Sequence, residues 1–341
     1  MNPKVAIVIL NWNGASLLQQ FLPSVIKFSK NDSTDIIVAD NGSTDDSLLV
    51  LGKEFPEVRT LDLKQNYGFA RGYNEALKQI EADYFVILNS DVEVTAGWLE
   101  SPIQLMENDP SIAAVQPKIL SHHQKTHFEY AGAAGGFIDR FGYPFCRGRI
   151  FNEVEPDKGQ YNSTIDIFWA TGACMFVRAK LFLEADGFDA DFWAHQEEID
   201  LCWRLKNHGY RIVYTPESTV YHVGGGTLSY DNPQKLFLNF RNNLWLLYKN
   251  LPANQLFYIL FVRMILDAVA AFKLLAEFNL NGIRSVLKAH YHFWISIPSL
   301  QRKRKQTRLA GNFRNPAEKL PRSIVFQFYV RKRKHFNEIK F

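Results

Sequence analysis

Along the first hundred residues, short apolar runs alternate with segments of helical spacing. Residues 5–10 (VAIVIL) are continuously apolar, as a strand covered on both faces requires, and 17–28 then place apolar residues three and four apart, as one helix face requires. The alternation continues, with strands predicted at 35–39, 58–63 and 84–88 and helices at 47–55 and 69–80. Such β/α repeats predict a doubly wound, mostly parallel sheet. Polar clusters follow the strands directly: Asn11-Trp12-Asn13-Gly14, Asp40-Asn41-Gly42-Ser43-Thr44-Asp45 and Asn89-Ser90-Asp91. In open α/β sheets these strand ends are where ligands bind. From 110 to 230 the segments shorten and become rich in Gly and aromatics, with a helix near 198–208 and a strand over 211–214. No linker interrupts this stretch, so 1–235 reads as one domain, followed by an apolar helical segment over 236–300 and a basic tail over 301–341.

Residues 256–278 predict an amphipathic helix. At about 100° per residue, Arg263, Asp267, Lys273 and Glu277 share one arc and the other face is apolar. The longest charge-free windows here reach about 13 residues, short of the ~20 that a spanning helix needs. The apolar arc can pack on the preceding domain or lie in a membrane interface, aided by Tyr291, Phe293 and Trp294. Charge favours the second. The chain carries +4 over 341 residues, yet 301–341 hold 13 Lys/Arg against only Glu318 and Glu338, leaving the body mildly acidic. Recognition motifs for nucleic acid are missing, so an anionic membrane surface is the expected partner of the basic stretch, and no specific nucleic acid is. A composition of 47% hydrophobic and 22% charged residues excludes disorder as the main state. Three cysteines without tight pairing argue against a disulfide framework, and the start of the chain lacks an export signal, so a cytoplasmic location is expected.

Four clusters can carry chemistry. Asp40 can simply build the turn that precedes a helix capped by Thr44 or Asp45, or its carboxylate can accept from the ring N–H of a uracil or thymine. Asn89 and Asp91, one residue apart, can hold a divalent cation that also ligates a diphosphate, or form a solvated turn. In Gln196-Glu197-Glu198-Ile199-Asp200-Leu201-Cys202-Trp203-Arg204, Asp200 has an i,i+4 partner in Arg204, while Glu197 and Glu198 lie in the first helical turn on different faces. One of these acids is expected to face a pocket. His222 precedes Gly224-Gly225-Gly226, where a backbone can approach a ligand closely.

Together NWNG, VADNGSTDDS, NYGFARGYN, LNSDVEV, ATGACMFVRA, HQEEIDLCWRL and YHVGGGT resemble, in order and spacing, the family-two inverting glycosyltransferases of the glycosyltransferase A fold, in their rhamnosyltransferase-like branch. The resemblance runs from residue 5 to about 249. It implies a catalytic domain over 1–235 that moves a sugar from a UDP- or dTDP-sugar, such as dTDP-rhamnose, to a hydroxyl of a glycan or lipid-linked acceptor in cell-surface polysaccharide synthesis. It further implies that Asp40 reads the base, that Asn11 and Asn13 border the nucleotide, and that Asn66, Gly68 and Arg71 line its other side. Asp91 and His222 match the holders of a divalent cation, Mg2+ or Mn2+. Asn89 stands where the first acid of the family's triplet is usual, so it is assigned to hydrogen bonding with ribose or phosphate. Gly172 and Ala173 match the acceptor side. Glu198 matches the base, with Glu197 in reserve, although Asp is usual there. A position on the inner face of the cytoplasmic membrane agrees with such acceptors, and pairing into oligomers through the apolar helices is open. The alternative is a non-catalytic nucleotide-sugar or carbohydrate-binding relative.

Overall fold

The computed structural model describes residues 3–224, 232–310 and 316–341, with the side chains of 308–310 left aside. The first part alternates as expected: β1 (Val5–Asn11), α1 (Ala15–Ser29), β2 (Thr34–Asp40), α2 (Ser47–Glu54), β3 (Arg59–Asp62), α3 (Gly68–Leu77) and β4 (Tyr84–Asn89). β5 (Val92–Val94), α4 (Glu100–Asn108) and β6 (Ile112–Ser121) follow, then short strands β7 (Gly136–Asp139), β8 (Pro144–Cys146), β9 (Arg149–Ile150), β10 (Glu153–Val154) and β11 (Ile165–Ile167). β12 (Cys174–Arg178), α5 (Ala179–Glu184), α6 (Glu197–Asn207) and β13 (Arg211–His222) complete the α/β part. Three long helices, α7 (Pro233–Asn250), α8 (Ala253–Ala276) and α9 (Leu280–Ala310), precede β14 (Lys319–Leu320).

The main sheet has the order β11-β13-β6-β12-β4-β1-β2-β3, with β5 joined to β13. β3, β2, β1 and β4 are parallel, whereas β12 runs antiparallel between β4 and β6. β1 explains its own sequence: Ala6 and Val8 enter one hydrophobic cluster and Val5, Ile7 and Ile9 the other, so both faces are covered and no polar alternation survives. β4 repeats this with Phe85 and Ile87 against Tyr84, Val86 and Leu88. The register Leu10↔Asn89 and Asn11↔Asp40 brings three of the polar clusters to one edge. β13 pairs with β6 through a register shift at Thr215/Thr219, near Pro216, and ends with His222 opposite Val92 of β5.

A second, small sheet runs β10-β9-β8-β7-β14. Its last strand comes from the stretch expected as a basic tail. Where described, that stretch folds back: β14 lies parallel to β7, Phe336 and Phe341 pack on Phe137, and Lys206 pairs with Glu318 at 3.2 Å. Helix α9 continues through residue 301 without a break.

The helical region differs from a simple packed layer. Arg263 and Asp267 of α8 are buried, paired at 2.7 Å, with the guanidinium over the Tyr143 ring and His290 of α9 at 3.1 Å from Asp267. Ile259 beside them is buried and Leu256, Leu260, Val262, Met264 and Leu266 pack against the core, as does the buried Phe293 of α9, while a second apolar stripe points away from the body. Phe257 is 84% exposed, Phe272 71% and Phe278 88%, with Phe261, Ile265, Val269, Tyr291 and Trp294 also exposed. Packing on the α/β part thus accounts for one stripe of that arc and leaves the other without a partner among the described residues. Among the described residues, no helix is long and apolar enough to cross a membrane.

Candidate active site

Most of the clusters meet at the carboxyl ends of β1, β2 and β4. Asp40 is fully buried and spends both oxygens locally: Oδ1 accepts from the Ser43 N–H at 2.9 Å and Oδ2 from the Asn11 amide at 3.1 Å. The turn-building role is thus realised, and each carboxylate oxygen keeps a further acceptor place for a base. Asn13, at φ 51°, accepts from the Thr44 N–H at 2.7 Å. Asp45 rather than Thr44 organises the start of α2, accepting from the Ser47 N–H at 3.1 Å and its hydroxyl at 2.6 Å.

The opposite wall is tied to this one by Asn41, a residue the sequence did not single out. Its amide donates to Asn66 Oδ1 at 3.2 Å and to the Gly68 carbonyl at 3.1 Å, while its oxygen accepts from the Tyr67 N–H. Asn66 Oδ1 also takes the Gly68 N–H at 2.8 Å. Gly68 has φ +75°, and a Cβ there would stand 2.7 Å from the half-exposed Trp193 ring. Only glycine fits both limits. Arg71 lies over the Tyr67 ring at 4.5 Å and reaches Glu75 at 3.6 Å.

Asn89 and Asp91 meet His222 across the chain. Asp91 Oδ1 is 3.1 Å and the Asn89 amide nitrogen 3.4 Å from His222 Nε2. The other ring nitrogen faces Glu129 Oε2 at 3.3 Å. Burial alone would lower the His222 pKa, but the Glu129 charge and the hydrogen bonds with Asp91 and Glu129 lift it to about 10. Burial would raise Asp91, yet the His222 contact holds its carboxyl below the usual range. Glu129 was not foreseen, because nothing in its local sequence separates it from a surface acid. Gly224 lies against it, since a Cβ there would be 2.5 Å from Glu129 Oε1. Gly225 and Gly226 fall outside the described residues.

Asp91 and His222 together offer a small divalent cation one carboxylate and one imidazole. Without a cation the two face each other directly as a hydrogen-bonded pair at 3.1 Å, with His222 protonated between Asp91 and Glu129, so a bound cation would displace that proton. Among the described residues no group of three or more His, Cys, Asp and Glu side chains could hold a metal, so the remaining places would fall to substrate oxygens and water. Mg2+ and Mn2+ suit such an arrangement, because hard cations accept phosphate and water as ligands.

Glu197 and Glu198 open α6. Asp200, three residues into the helix, proves structural: it is fully buried and takes Arg204 at 2.8 Å, Lys249 at 2.9 Å and the Asn250 amide at 2.8 Å. The two glutamates have no such partners. Glu197 is buried and Glu198 half-buried, and each has an enclosed Oε2 without a hydrogen-bond partner. Burial raises both pKa values, that of Glu197 further through the Glu198 charge, while backbone N–H groups at the helix start partly restrain Glu198. The charges of Glu129 and Glu198 add to burial in raising the pKa of the Cys146 thiol. Gly172 and Ala173 lie beside Phe69 and Asn89. A Gly172 Cβ would touch the Phe69 ring at 3.0 Å, and the Ala173 carbonyl accepts the Asn89 N–H at 3.0 Å.

The model of the family described as Glycosyl transferase family 2 matches residues 6–184, more than half of the chain. The chain belongs to this family. As a family-2 glycosyltransferase it has the expected fold, a mostly parallel α/β sheet with a helical C-terminal region. It is 24% identical over 237 residues to an N-acetylglucosaminyl-diphospho-decaprenol L-rhamnosyltransferase of Mycobacterium tuberculosis, covering 65% of this chain and 76% of that one. A mannosyltransferase from Pyrobaculum calidifontis, solved with GDP-Man and Mn2+, superposes with TM-score 0.53 at 14% identity, over 91% of this chain and 81% of that one. The GalNAc-T7 structure with UDP, GalNAc and Mn2+ gives 0.56 at 16% identity, over 70% and 47%. Residues after 184, including Glu197, Glu198 and His222, lie outside the family match.

Proposed function

We propose that this glycosyltransferase is an inverting, cation-assisted enzyme that moves a sugar from a UDP- or dTDP-sugar, with dTDP-rhamnose the first to try, onto a hydroxyl of a glycan or lipid-linked acceptor in cell-surface polysaccharide synthesis. The observation that carries it is the glutamate pair at the start of α6, Glu197 buried and Glu198 half-buried, each with an enclosed Oε2 that has no hydrogen-bond partner. Burying a carboxylate without a partner is unfavourable, and a molecule that only binds nucleotide sugars has no use for it. A base has.

In this scheme Asn11, Asn13 and Asp40 border the nucleotide, Asp40 offering its free acceptor places to the base. Asn66, Gly68 and Arg71 form the other wall, and Asn89 donates to ribose or phosphate. Asp91 and His222 would hold Mg2+ or Mn2+, which as a Lewis acid neutralises charge gathering on the departing diphosphate. Glu198 takes the proton from the acceptor hydroxyl, with Glu197 its reserve, and Gly172 and Ala173 leave room for that acceptor. Attack from the face opposite the leaving group inverts the anomeric carbon. Glu198→Gln is expected to lower kcat about 10²–10⁴-fold with donor binding retained. Wild-type turnover in that variant, or an NMR spectrum of a product with the donor's own anomeric configuration, would refute the scheme.

The residues 1–235 would form the catalytic part, with the helices of 236–300 and the basic stretch 301–341 serving its location. We propose that the exposed ridge of α8 and α9 lies on the inner face of the cytoplasmic membrane, at an anionic bilayer. The inward-turned Arg263–Asp267 pair supports this, since it leaves an aromatic surface outside, as does the basic groove of about 480 Å³ formed by Arg302, Arg304 and Lys305 with Tyr248, Pro298 and Gln301. Each buried phenylalanine would contribute roughly 2 kcal/mol. The protein should sediment with vesicles containing phosphatidylglycerol and much less with neutral ones, and Phe257→Ser with Phe272→Ser should release it. A salt-independent dimer that dissociates in the same variants, without vesicle binding, would instead assign the ridge to a second copy.

A further inference from the structure

Three residues just before the glutamate pair have backbones that glycine normally supplies. Trp193 has φ 66°, His195 φ 69° and Gln196 φ 70°. None is glycine. Non-glycine residues in the left-handed region are unfavourable and persist where their surroundings over-determine them. Here the surroundings are supplied by α7, which lies beyond the family match.

Arg241, Asn242 and Asn243 of α7 hold this segment from one side. The fully buried Asn242 amide is shared among three carbonyls, Phe192 at 3.1 Å, Ala194 at 2.9 Å and His195 at 2.7 Å. Arg241 donates to the carbonyls of Asp191 at 3.0 Å and Phe192 at 3.1 Å and to Asn242 Oδ1, while it lies over the Trp245 ring at 4.2 Å. Asn243 donates to Gln196 Oε1 at 3.1 Å and the Gly142 carbonyl at 2.6 Å, and Gln196 returns a bond to the Asn239 carbonyl. On the other side, the Trp193 carbonyl accepts the N–H groups of Phe69 at 2.9 Å and Ala70 at 3.1 Å, in the first turn of α3. The segment therefore joins the wall around Gly68 to the start of α6.

We propose that Arg241-Asn242-Asn243 is a clamp, with Asn242 as its centre, that fixes Trp193 over the Gly68 wall and sets the direction from which Glu198 enters the site. These are positioning residues, and they make α7 part of the catalytic unit. The inference rests on Glu198 as base, but the clamp itself has a readout that does not. Asn242→Asp preserves shape and removes both donors, leaving a carboxylate against three carbonyl oxygens.

The full-length protein labelled with 5-fluorotryptophan, its Trp193 resonance assigned through Trp193→Phe, reports the loop without any ligand. Release of nucleoside diphosphate from dTDP-rhamnose and a panel of UDP-sugars reports kcat and KM. Asn242→Asp should shift or broaden the Trp193 line and lower kcat at least 30-fold, with the donor KM within threefold of wild type. Arg241→Lys, which keeps the charge and loses the fork, should do so by three- to tenfold and decides the matter if Asn242→Asp does not fold. An unmoved Trp193 line with kcat within twofold of wild type, in any folded variant, overturns the clamp. Glu198→Gln measured alongside separates the two ideas: full activity there removes the base assignment, and the Trp193 line alone then judges the clamp.

Discussion

Replacing Glu198 by Gln should inactivate the enzyme and, above neutral pH, make it more stable. Burial raises the Glu198 pKa in the folded protein, whereas in the unfolded chain it titrates near the ordinary value of about 4.3. For a carboxyl raised on folding, stability is complete below the unfolded pKa and is lost as pH rises through the folded one. Wild type therefore carries the full penalty at pH 8 and almost none at pH 4.5. Burial lifts Glu198 to about 7, which at the usual conversion from pKa to free energy is worth about 3 kcal/mol in full, most of it developed between pH 5 and 8.5. Glutamine has no such penalty, although its amide, if left unpaired in the same place, costs about 1 kcal/mol at every pH. For a chain of this size about 2 °C in Tm accompanies each kcal/mol. Thermal unfolding of both proteins from pH 5 to 8.5 should thus show a Tm difference that moves in favour of the variant by roughly 5 °C across the range. A difference that stays flat with pH would mean that Glu198 is not a raised carboxyl, and the choice of base would pass to Glu197.

Two further outcomes follow from the charges around the site. Asp91→Asn or His222→Gln should abolish the Mn2+-dependent part of the thermal stabilisation given by UDP or dTDP and leave the metal-free part, which titration calorimetry can check; unchanged Mn2+ dependence in both variants would remove the cation from these residues. Lys249→Met should destabilise by about 3–5 kcal/mol, because Lys249 holds the partly buried Asp189 at 2.5 Å and the fully buried Asp200 at 2.9 Å, and burial would raise those acids without it. Denaturant unfolding measures this, and a loss under 1 kcal/mol would show that Lys303 and Arg204 suffice.

The alternating pattern of the first ninety residues was enough to place β1, α1, β2, α2, β3, α3 and β4 within a few residues, because β1 and β4 are covered on both faces and the helices pack one face on the sheet, while β3 is an exposed edge strand. Periodicity records burial, and burial there is local in kind. The i,i+4 pair of Asp200 and Arg204 was legible for the same reason, being written into helical geometry. Which polar residues follow which strand could also be read directly. That Asn11, Asp40 and Asn89 share one edge was then implied by a parallel sheet, and the register makes it so.

What escaped was decided by partners far apart in the chain. Glu129 gains its place from His222, ninety-odd residues on, and Asn41 from Asn66 and Gly68; neither carries a local sign. The strained run before Glu197 has no glycine to announce it and exists because α7 supplies donors from forty-odd residues away. The basic C-terminal stretch read by composition as a tail for an anionic membrane surface, but an aromatic pair within it finds Phe137 and folds it onto the small sheet. On α8, the sequence determined that the helix has a charged arc and an apolar one, but not which faces inward. The tertiary structure turned Arg263 and Asp267 inside, where Tyr143, Asn243 and His290 meet them, since a buried ion pair is tolerated only where further polar groups complete it.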